Sequence, residues 1–338
     1  MRVLSLFDGI AGAMVALQNL GFKVAEYYSS EVDAKAMSVA DRHFPDVIQV
    51  GDVEKLSAAS FGKIDLLIGG SPCTNLSIAG DGSGLEGNES RLFFEYVRLL
   101  RELKPKWFVL ENVKSMRTTD REAMDKIVGC PSVYHNSSSW TAQSRKRLYW
   151  TNITLQPDPV PCKIVVADIL EQGDIPKNVW LNTHWPIHPR ANFTHGQWED
   201  RENMVKLFDI GQGRQGERIY SILGKSVNLT AGGGGPGSKT GVYYVGEYRA
   251  DVDPSSVMAS CRRLTPVEAE RLQGIPDGYT EKGQKDELMS PTDRYRLLGN
   301  GFTVPAIMYL LEPLRAFYGM QNGGAVKEEE YRDATRGK

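Results

Sequence analysis

The chain has little of what builds a metal site or a covalent scaffold. Its 338 residues contain five histidines and four cysteines, Cys73, Cys130, Cys162 and Cys261, with no Cys-x-x-Cys pair. That spacing excludes a zinc ribbon and a disulfide framework, fits a reducing, cytoplasmic compartment, and leaves no metal to expect. His184 and His188 are spaced like metal ligands, but Pro186 between them prevents the regular helix that would align them. Net charge is scarce too. The formal value of −2 argues against a generally basic nucleic-acid coat protein and leaves room for a locally basic cleft. No apolar run is long enough to cross a bilayer, so no membrane partner is expected. Residues 1–3 lead into a strand pattern rather than a signal peptide. No internal repeat is evident.

Glycine is plentiful, with 34 residues, in a chain that is otherwise 41% hydrophobic and 24% charged. This is a globular composition, long enough for one large domain or two ordinary ones. The stretch 64–77, IDLLIGGSPCTNLS, begins as a buried strand and breaks at a Gly-Gly pair. Pro72 then fixes the exit of the chain and presents Cys73 at the carboxyl edge of the strand, where open α/β sheets bind ligands. Residues 74–91 are rich in Gly, Ser and Asn and read as a lid over a candidate nucleophile.

Upstream, residues 2–7 read as a first strand and residues 12–20 as a helix. Between them runs Phe7-Asp8-Gly9-Ile10-Ala11-Gly12, a tight turn with backbone N–H groups free at the helix start. It lacks the third glycine of a dinucleotide fingerprint, and Asp8 would repel a pyrophosphate. Asp8 suits a zwitterion instead, such as the amino-acid end of S-adenosylmethionine. A second strand, 23–30, delivers Glu31 and Val32, and an acid there commonly holds ribose hydroxyls. Asp33 reads as a helix N-cap. A third strand, 47–50, leads to Asp52 and Val53, with Asp52 placed to accept from an adenine amino group.

After a helix at 92–103, a strand at 106–110 puts Glu111 at its end. Consecutive strands commonly pair, which would bring Glu111 beside Cys73. Residues 140–153 read as one strand on which Gln143, Arg145 and Arg147 share a face suited to a phosphate or a base edge. From about residue 168 to 260 the helical periodicity fades, as in a second, irregular or β-rich domain. Residues 229–241 form a glycine-rich tip between strand-like runs, able to approach a groove through Thr230, Lys239 and Thr240. Thr265, Pro266 and Glu268 make a capping box that starts a short helix, and Arg262 and Arg263 before it are candidates for phosphate contact. A Gly-Asn-Gly break at 299–301 precedes an apolar helix.

Taken in order, these motifs resemble the DNA (cytosine-5) methyltransferase family from residue 2 to about 317. FDGIAG resembles its cofactor loop, SPC its nucleophile motif, ENV its base-binding motif and QSRKR its Gln-x-Arg-x-Arg strand. LTAGGGGPGSKTG resembles the end of its target recognition domain, and RRLTPVEAERLQGIP and LLGNGFTVPAI its last two blocks. Many bacterial members carry Gln after the cysteine, where this chain has Thr74. SPCxxLS and LSLFDGIAGA are similar to the animal de novo branch, but no large reader domain is present, so a stand-alone bacterial or phage enzyme is expected.

The resemblance implies an α/β, Rossmann-like sheet in residues 1–165, completed by 291–320. It further implies a smaller recognition domain at 166–290 and a charged tail at 321–338. S-adenosylmethionine would contact residues 7–12, Glu31, Val32, Asp52, Val53, Pro72, Leu92, Asn300 and Phe302. Catalysis would fall to Cys73, Glu111, Arg145 and Arg147, with Arg145 supporting Arg147. Double-stranded DNA would meet Ser77, Gln143, Thr230, Lys239, Thr240, Arg262 and Arg263. The cytosine must be flipped from the stack. The thiolate of Cys73 adds to C6, making C5 nucleophilic toward the sulfonium methyl. A monomer on DNA is expected, with or without a cognate restriction endonuclease. A tRNA cytosine-5 methyltransferase shares the chemistry, but its Pro-Pro-Cys-Gln and Cys-Phe-Thr motifs are absent. A catalytically silent DNA-binding paralogue would lose Cys73 or Glu111, and both are present. A nicotinamide oxidoreductase is disfavoured by the two-glycine loop.

Overall fold

The computed structural model describes residues 1–72, 91–181, 187–189, 199–210, 215–232, 235–247 and 258–319. Cys73, Ser77, His184 and the tail at 321–338 lie outside them. The chain opens β1 (Arg2–Leu6), α1 (Gly12–Asn19), β2 (Glu26–Ser30), α2 (Ala34–His43), β3 (Ile48–Gln49) and β4 (Leu66–Gly70). It continues α3 (Arg91–Leu103), β5 (Trp107–Val113), α4 (Thr118–Val128), β6 (Val133–Asn136) and β7 (Lys146–Thr151). The seven strands form one sheet in the order β3-β2-β1-β4-β5-β7-β6. It is parallel from β3 to β5, while β7 runs antiparallel between β5 and β6. This is the mainly parallel, Rossmann-like α/β sheet expected.

Alternation along the strands explains why the sheet is buried on both faces. Val3, Leu66, Ile68, Trp107 and Val109 point to one face, and Leu4, Leu6, Leu67, Phe108 and Leu110 to the other, as a period of two requires. The first face is covered by α1 and by the helix Val304–Leu311, through Ala13, Leu17, Ile307 and Leu310. The second is covered by α3 through Phe93, Tyr96 and Val97. From β1 the chain moves outward to β2 and β3, then returns to β4 on the other side. That reversal places a crevice at the carboxyl ends of β1 and β4, the usual ligand position in such a sheet.

A second sheet, in the order β12-β11-β10-β9-β8, is built from β8 (Ile187–Pro189), β9 (Lys206–Ile210), β10 (Arg218–Ser221), β11 (Val242–Tyr244) and β12 (Cys261–Arg262). It has its own small core of Leu207, Phe208, Ile210, Ile219, Val242, Tyr244 and Cys261. The segments that flank it pack elsewhere: Ile169 before it and Leu272 after it join the core of the large sheet. The helix Pro266–Gln273 carries the expected capping box of Thr265 and Glu268. It ends at Gly274 with φ +69°, where a Cβ would lie 2.4 Å from Pro305 Cδ.

Two local expectations need correction. Residues 140–153 are not one strand. β7 starts only at Lys146, because Trp140 closes a 3-10 turn over Ser137–Ser139 and Gln143 instead makes an isolated bridge to Ser226. Gln143 and Arg145 therefore do not share a strand face with Arg147. The strand expected at 106–110 runs on to Val113, so Glu111 is a strand residue paired with Gly70 of β4 rather than a residue beyond the end.

Candidate active site

Two acids and a kinked loop line the β2 and β3 side of the crevice. Phe7, Gly9 and Ala11 all have φ near +60°, a conformation that costs energy for Phe and Ala and is held only by the surrounding structure. The result is a loop whose backbone turns over the start of α1. Glu31, half-buried at the end of β2, fastens it: Oε2 accepts from the Gly9 amide at 2.8 Å and Oε1 from the Val32 and Asp33 amides at 2.8 and 2.9 Å. Beside it, Val32 is 72% exposed, an apolar face beside a carboxylate. Asp52 follows β3, accepts from the Glu54 amide at 3.1 Å and remains partly exposed. A carboxylate, an exposed aliphatic side chain and a second acid along successive strand ends fit the ribose and adenine of a nucleoside cofactor. Asp33 caps α2 as expected, accepting from the Lys35 and Ala36 amides, and pairs with Arg296.

Asp8 does not face this crevice. It is 3% exposed, and its Oδ1 accepts from Ser5 Oγ at 2.5 Å and from Tyr27 OH at 2.6 Å. Burial pushes its pKa up to about 6, against the pull of those hydroxyl donors. The expectation that its side chain meets a zwitterion is corrected: the carboxylate is turned inward to brace the loop. Ile10, Ala11 and Val53 are buried as well, so only their backbone is available. The Ile10 carbonyl accepts from Tyr279 OH at 2.9 Å.

Across the crevice, β4 ends at Gly70 and the chain leaves through buried Ser71 and half-exposed Pro72. Asn112 pins that exit, its Nδ2 donating to Ser71 O at 3.3 Å and Ser71 Oγ at 3.1 Å. Next to Asn112 on β5, Glu111 Oε1 pairs with Arg147 Nε at 2.5 Å. Its other oxygen, Oε2, lies 2.8 Å from where a Gly70 Cβ would stand, and Phe302 Cε1 lies 3.1 Å from the same point. Phe302 Cβ also lies 3.6 Å from a Cβ placed on Gly12. The ring of Phe302 thus bridges the kinked loop and the Glu111 carboxylate. Sequence reasoning missed Gly70 and Asn112. Only the pairing of SPC with ENV across two strands could have pointed to them.

A family profile described as C-5 cytosine-specific DNA methylase matches residues 1–315. The chain belongs to that family. It is 27% identical over 328 residues to the type II methyltransferase M.HhaI of Haemophilus parahaemolyticus, covering 92% of this chain and 93% of the relative. It is 40% identical over 123 residues to the orphan methyltransferase M.SPRI of Bacillus phage SPR, covering 36% of this chain and 28% of that one. In fold it is similar to the Dnmt2 methyltransferase of S. pombe, with a TM-score of 0.66 at 16% identity, over 95% of this chain and all of that one. This methylase transfers a methyl group from S-adenosylmethionine to C5 of cytosine in double-stranded DNA, by the covalent cysteine chemistry of the family.

Several residues of the methylase expected at DNA are committed elsewhere. Gln143 is fully buried and bonded to Leu229, Leu272 and Gln273. Arg145 is 3% exposed and spans four groups on two other segments, Asn228, Leu229, Gly299 and Gly301, so these bonds go to those segments rather than to Glu111. Arg262 is closed by a bidentate pair with Glu268 at 2.7 and 2.8 Å, with both side chains buried. Thr240 is fully buried and donates to Gly241 O. None of these four side chains is placed for a phosphate or a base, which corrects the sequence expectation. Lys239, half-buried with φ +77°, donates to Thr292 O, and Thr230 to Gly232 O. Arg263 is half-buried and donates to Asn178 O. Leu92 is half-buried in the first turn of α3, and Asn300 is exposed at the end of the helix Pro291–Asn300.

Proposed function

We propose that Cys73, Glu111 and Arg147 are the reacting and base-holding residues of this methylase. The observation that carries the reading is the Glu111–Arg147 pair, set one strand away from the Ser71-Pro72 exit that immediately precedes Cys73 in sequence. The Cys73 thiolate adds to C6 of an extruded cytosine, forming an S–C6 bond and moving electron density to C5. Glu111 Oε2, the oxygen not engaged by Arg147 Nε, accepts from the exocyclic amine, and a proton shared between the Glu111 carboxyl group and N3 offsets the negative charge that develops on addition. Arg147 orients that carboxylate. When bound, S-adenosylmethionine supplies an electrophilic methyl group. Loss of the C5 proton to a base or water, with cleavage of S–C6, returns the thiol.

The cofactor reading assigns Glu31 to the ribose, Asp52 to the adenine amine and Val32 to the adenine face, with the loop at 7–12 offering backbone. Phe302 lines the boundary between cofactor and base, with Pro72, Leu92 and Asn300 around it. DNA readout falls to residues 166–290, with Thr230, Lys239, Arg263 and Ser77 retained as contacts. The enzyme acts as a monomer in a bacterial or phage-infected cytoplasm. A cognate endonuclease is an open partner, since one relative above is named type II and another orphan.

The test is direct. Plasmid from cells expressing the protein, read by bisulfite sequencing, should show 5-methylcytosine at one recurring sequence. Duplex DNA carrying 5-fluorocytosine at that position should be trapped covalently by the wild type and not by Cys73→Ser. Turnover by Cys73→Ser at the wild-type rate would overturn the assignment.

A further inference from the structure

A fully buried set of polar side chains joins two segments that serve different halves of the reaction. Gln143 and Gln273 are 0% exposed, and Arg145 and Thr303 are 3% exposed. The Leu229 amide donates to Gln143 Oε1 at 3.1 Å, and Gln143 Nε2 passes the chain on to Leu272 O at 3.2 Å and Gln273 Oε1 at 3.3 Å. Gln273 Oε1 also accepts from Thr303 Oγ1 at 2.9 Å, while its Nε2 donates to Leu298 O and Gly301 O. Arg145 runs alongside: one terminal nitrogen reaches Asn228 Oδ1 and Leu229 O at 3.0 and 3.1 Å, the other Gly299 O and Gly301 O at 3.1 and 2.9 Å. The two segments also touch directly, since a Cβ on Gly299 would lie 2.4 Å from the Thr230 carbonyl carbon.

Through Gln143, Gln273 and Arg145 this network ties residues 228–230, where the glycine-rich stretch begins, to residues 298–303, which carry Asn300 and Phe302. Apolar packing of the same volume would hold the two together about as well, because a buried hydrogen bond adds little net stability over a well-packed apolar pair. What a satisfied polar network adds is direction. Each bond fixes an angle as well as a distance, and a network with every member paired specifies one arrangement.

We propose that Gln143, Arg145 and Gln273 are positioning residues that lock the glycine-rich recognition segment to the turn bearing Phe302, so that DNA seated on the segment arrives in register with Glu111 and Cys73. The proposal rests on the functional reading above. It accounts for two residues of the Gln-x-Arg-x-Arg motif that face neither the base nor the phosphates.

The test uses the full chain and the target sequence mapped for the wild type. Gln273→Met keeps the volume and removes every bond of that amide. Gln143→Glu keeps the acceptor for the Leu229 amide and removes the two donors, and it serves should Gln273→Met fold poorly. Both are compared with wild type in single-turnover methyl transfer on the target duplex and on duplexes with one altered base pair. S-adenosylmethionine affinity is read by calorimetry. Single-turnover rates should fall by about 10- to 100-fold, the scale for a displacement near 1 Å. The rate ratio between target and altered sites should shrink, and cofactor affinity should fall far less than the rate, because Glu31 and Asp52 lie outside the network and only Asn300 and Phe302 are carried on it. Folded variants with wild-type rates and wild-type discrimination overturn the proposal alone. Equal losses in cofactor affinity and rate also overturn it, because they mark a merely structural role. A wild type that methylates no site and traps no 5-fluorocytosine overturns the functional reading beneath it.

Discussion

Gly70 and Glu111 are register partners on adjacent parallel strands, and the Glu111 Oε2 oxygen occupies the space a Gly70 side chain would need, 2.8 Å from its Cβ position. The absence of a side chain on one strand is what lets the carboxylate on the next turn toward the crevice. Gly70→Ala should therefore displace Glu111 or the Phe302 ring, which lies 3.1 Å from the same point. Methyl transfer should fall by about 100-fold, as for other small misplacements of a reacting group. Tritium transfer from labelled cofactor measures it, and a Gly70→Ala enzyme working at full rate would show that this packing is irrelevant to turnover.

The Glu111–Arg147 pair should act as a unit. Glu111→Gln removes the charge that Arg147 orients, and Arg147→Lys removes the planar fork that makes the orientation rigid. Each single change should lower kcat by about 10²- to 10³-fold, the range for losing one preorganised polar partner. The double variant should lose little more than the worse single one, since groups acting on one step are not additive. A cycle of the four proteins, assayed for kcat, tests this. Multiplying losses would mean that the two act separately.

Asp8 gives a pH signature. Its folded pKa, raised to about 6 from 3.8, means that the native state holds a proton which the unfolded chain has released between those values. The stability tied to that proton is fully present below about pH 4 and is lost as pH rises through about 6, a span worth about 3 kcal/mol by linkage. Asp8→Asn keeps an oxygen for Ser5 and Tyr27 and has no charge to bury. Its melting temperature should exceed that of the wild type at pH 7.5, and the gap should close as the pH approaches 4. A constant gap across that range would rule out the titration.

Arg262 and Arg263 are neighbours in sequence with opposite expected behaviour. Arg262→Ala leaves Glu268 buried without its partner, and should destabilise the fold by about 3–5 kcal/mol, as broken buried pairs do. It should leave the salt slope of DNA binding in the surviving folded protein alone. Arg263→Ala should change melting little and reduce that slope by about one phosphate. Denaturant melts and binding titrations from low to high salt separate the two.

Much of this was legible in the sequence, for reasons that are local. The α2 cap is announced by Asp33 and the capping box by Thr265 and Glu268, because each is a contact across four residues or fewer. Glu111 could be placed near the nucleophile because neighbouring strands follow each other in the chain. What the sequence hid lies beyond the reach of a single turn. Arg145 alternates with Arg147 on paper, yet its partners are residues 228, 229, 299 and 301. Glu268 reads as a cap and is one, but it also neutralises Arg262. Asp8 reads as a ligand acid because nothing local says that Tyr27 will reach over to claim it. In each case a charged residue was consumed by a partner that only the completed fold supplies.

The helix Val304–Leu311 packs on α1, with Asn19 Nδ2 reaching Met308 Sδ at 3.9 Å and Tyr318 meeting the ring of Phe22. One face of the large sheet is thus closed jointly by α1 and by a helix that follows it only after both sheets have been made. On the ribosome, the strands that build the cofactor crevice emerge first and must wait, half-covered, while the second sheet is translated and folds. A premature stop after residue 300 would leave Ala13, Ala16 and Leu17 without the surface that buries them. Such a product should meet the cell's proteases before it meets DNA, so that every copy able to methylate has been translated at least through residue 311.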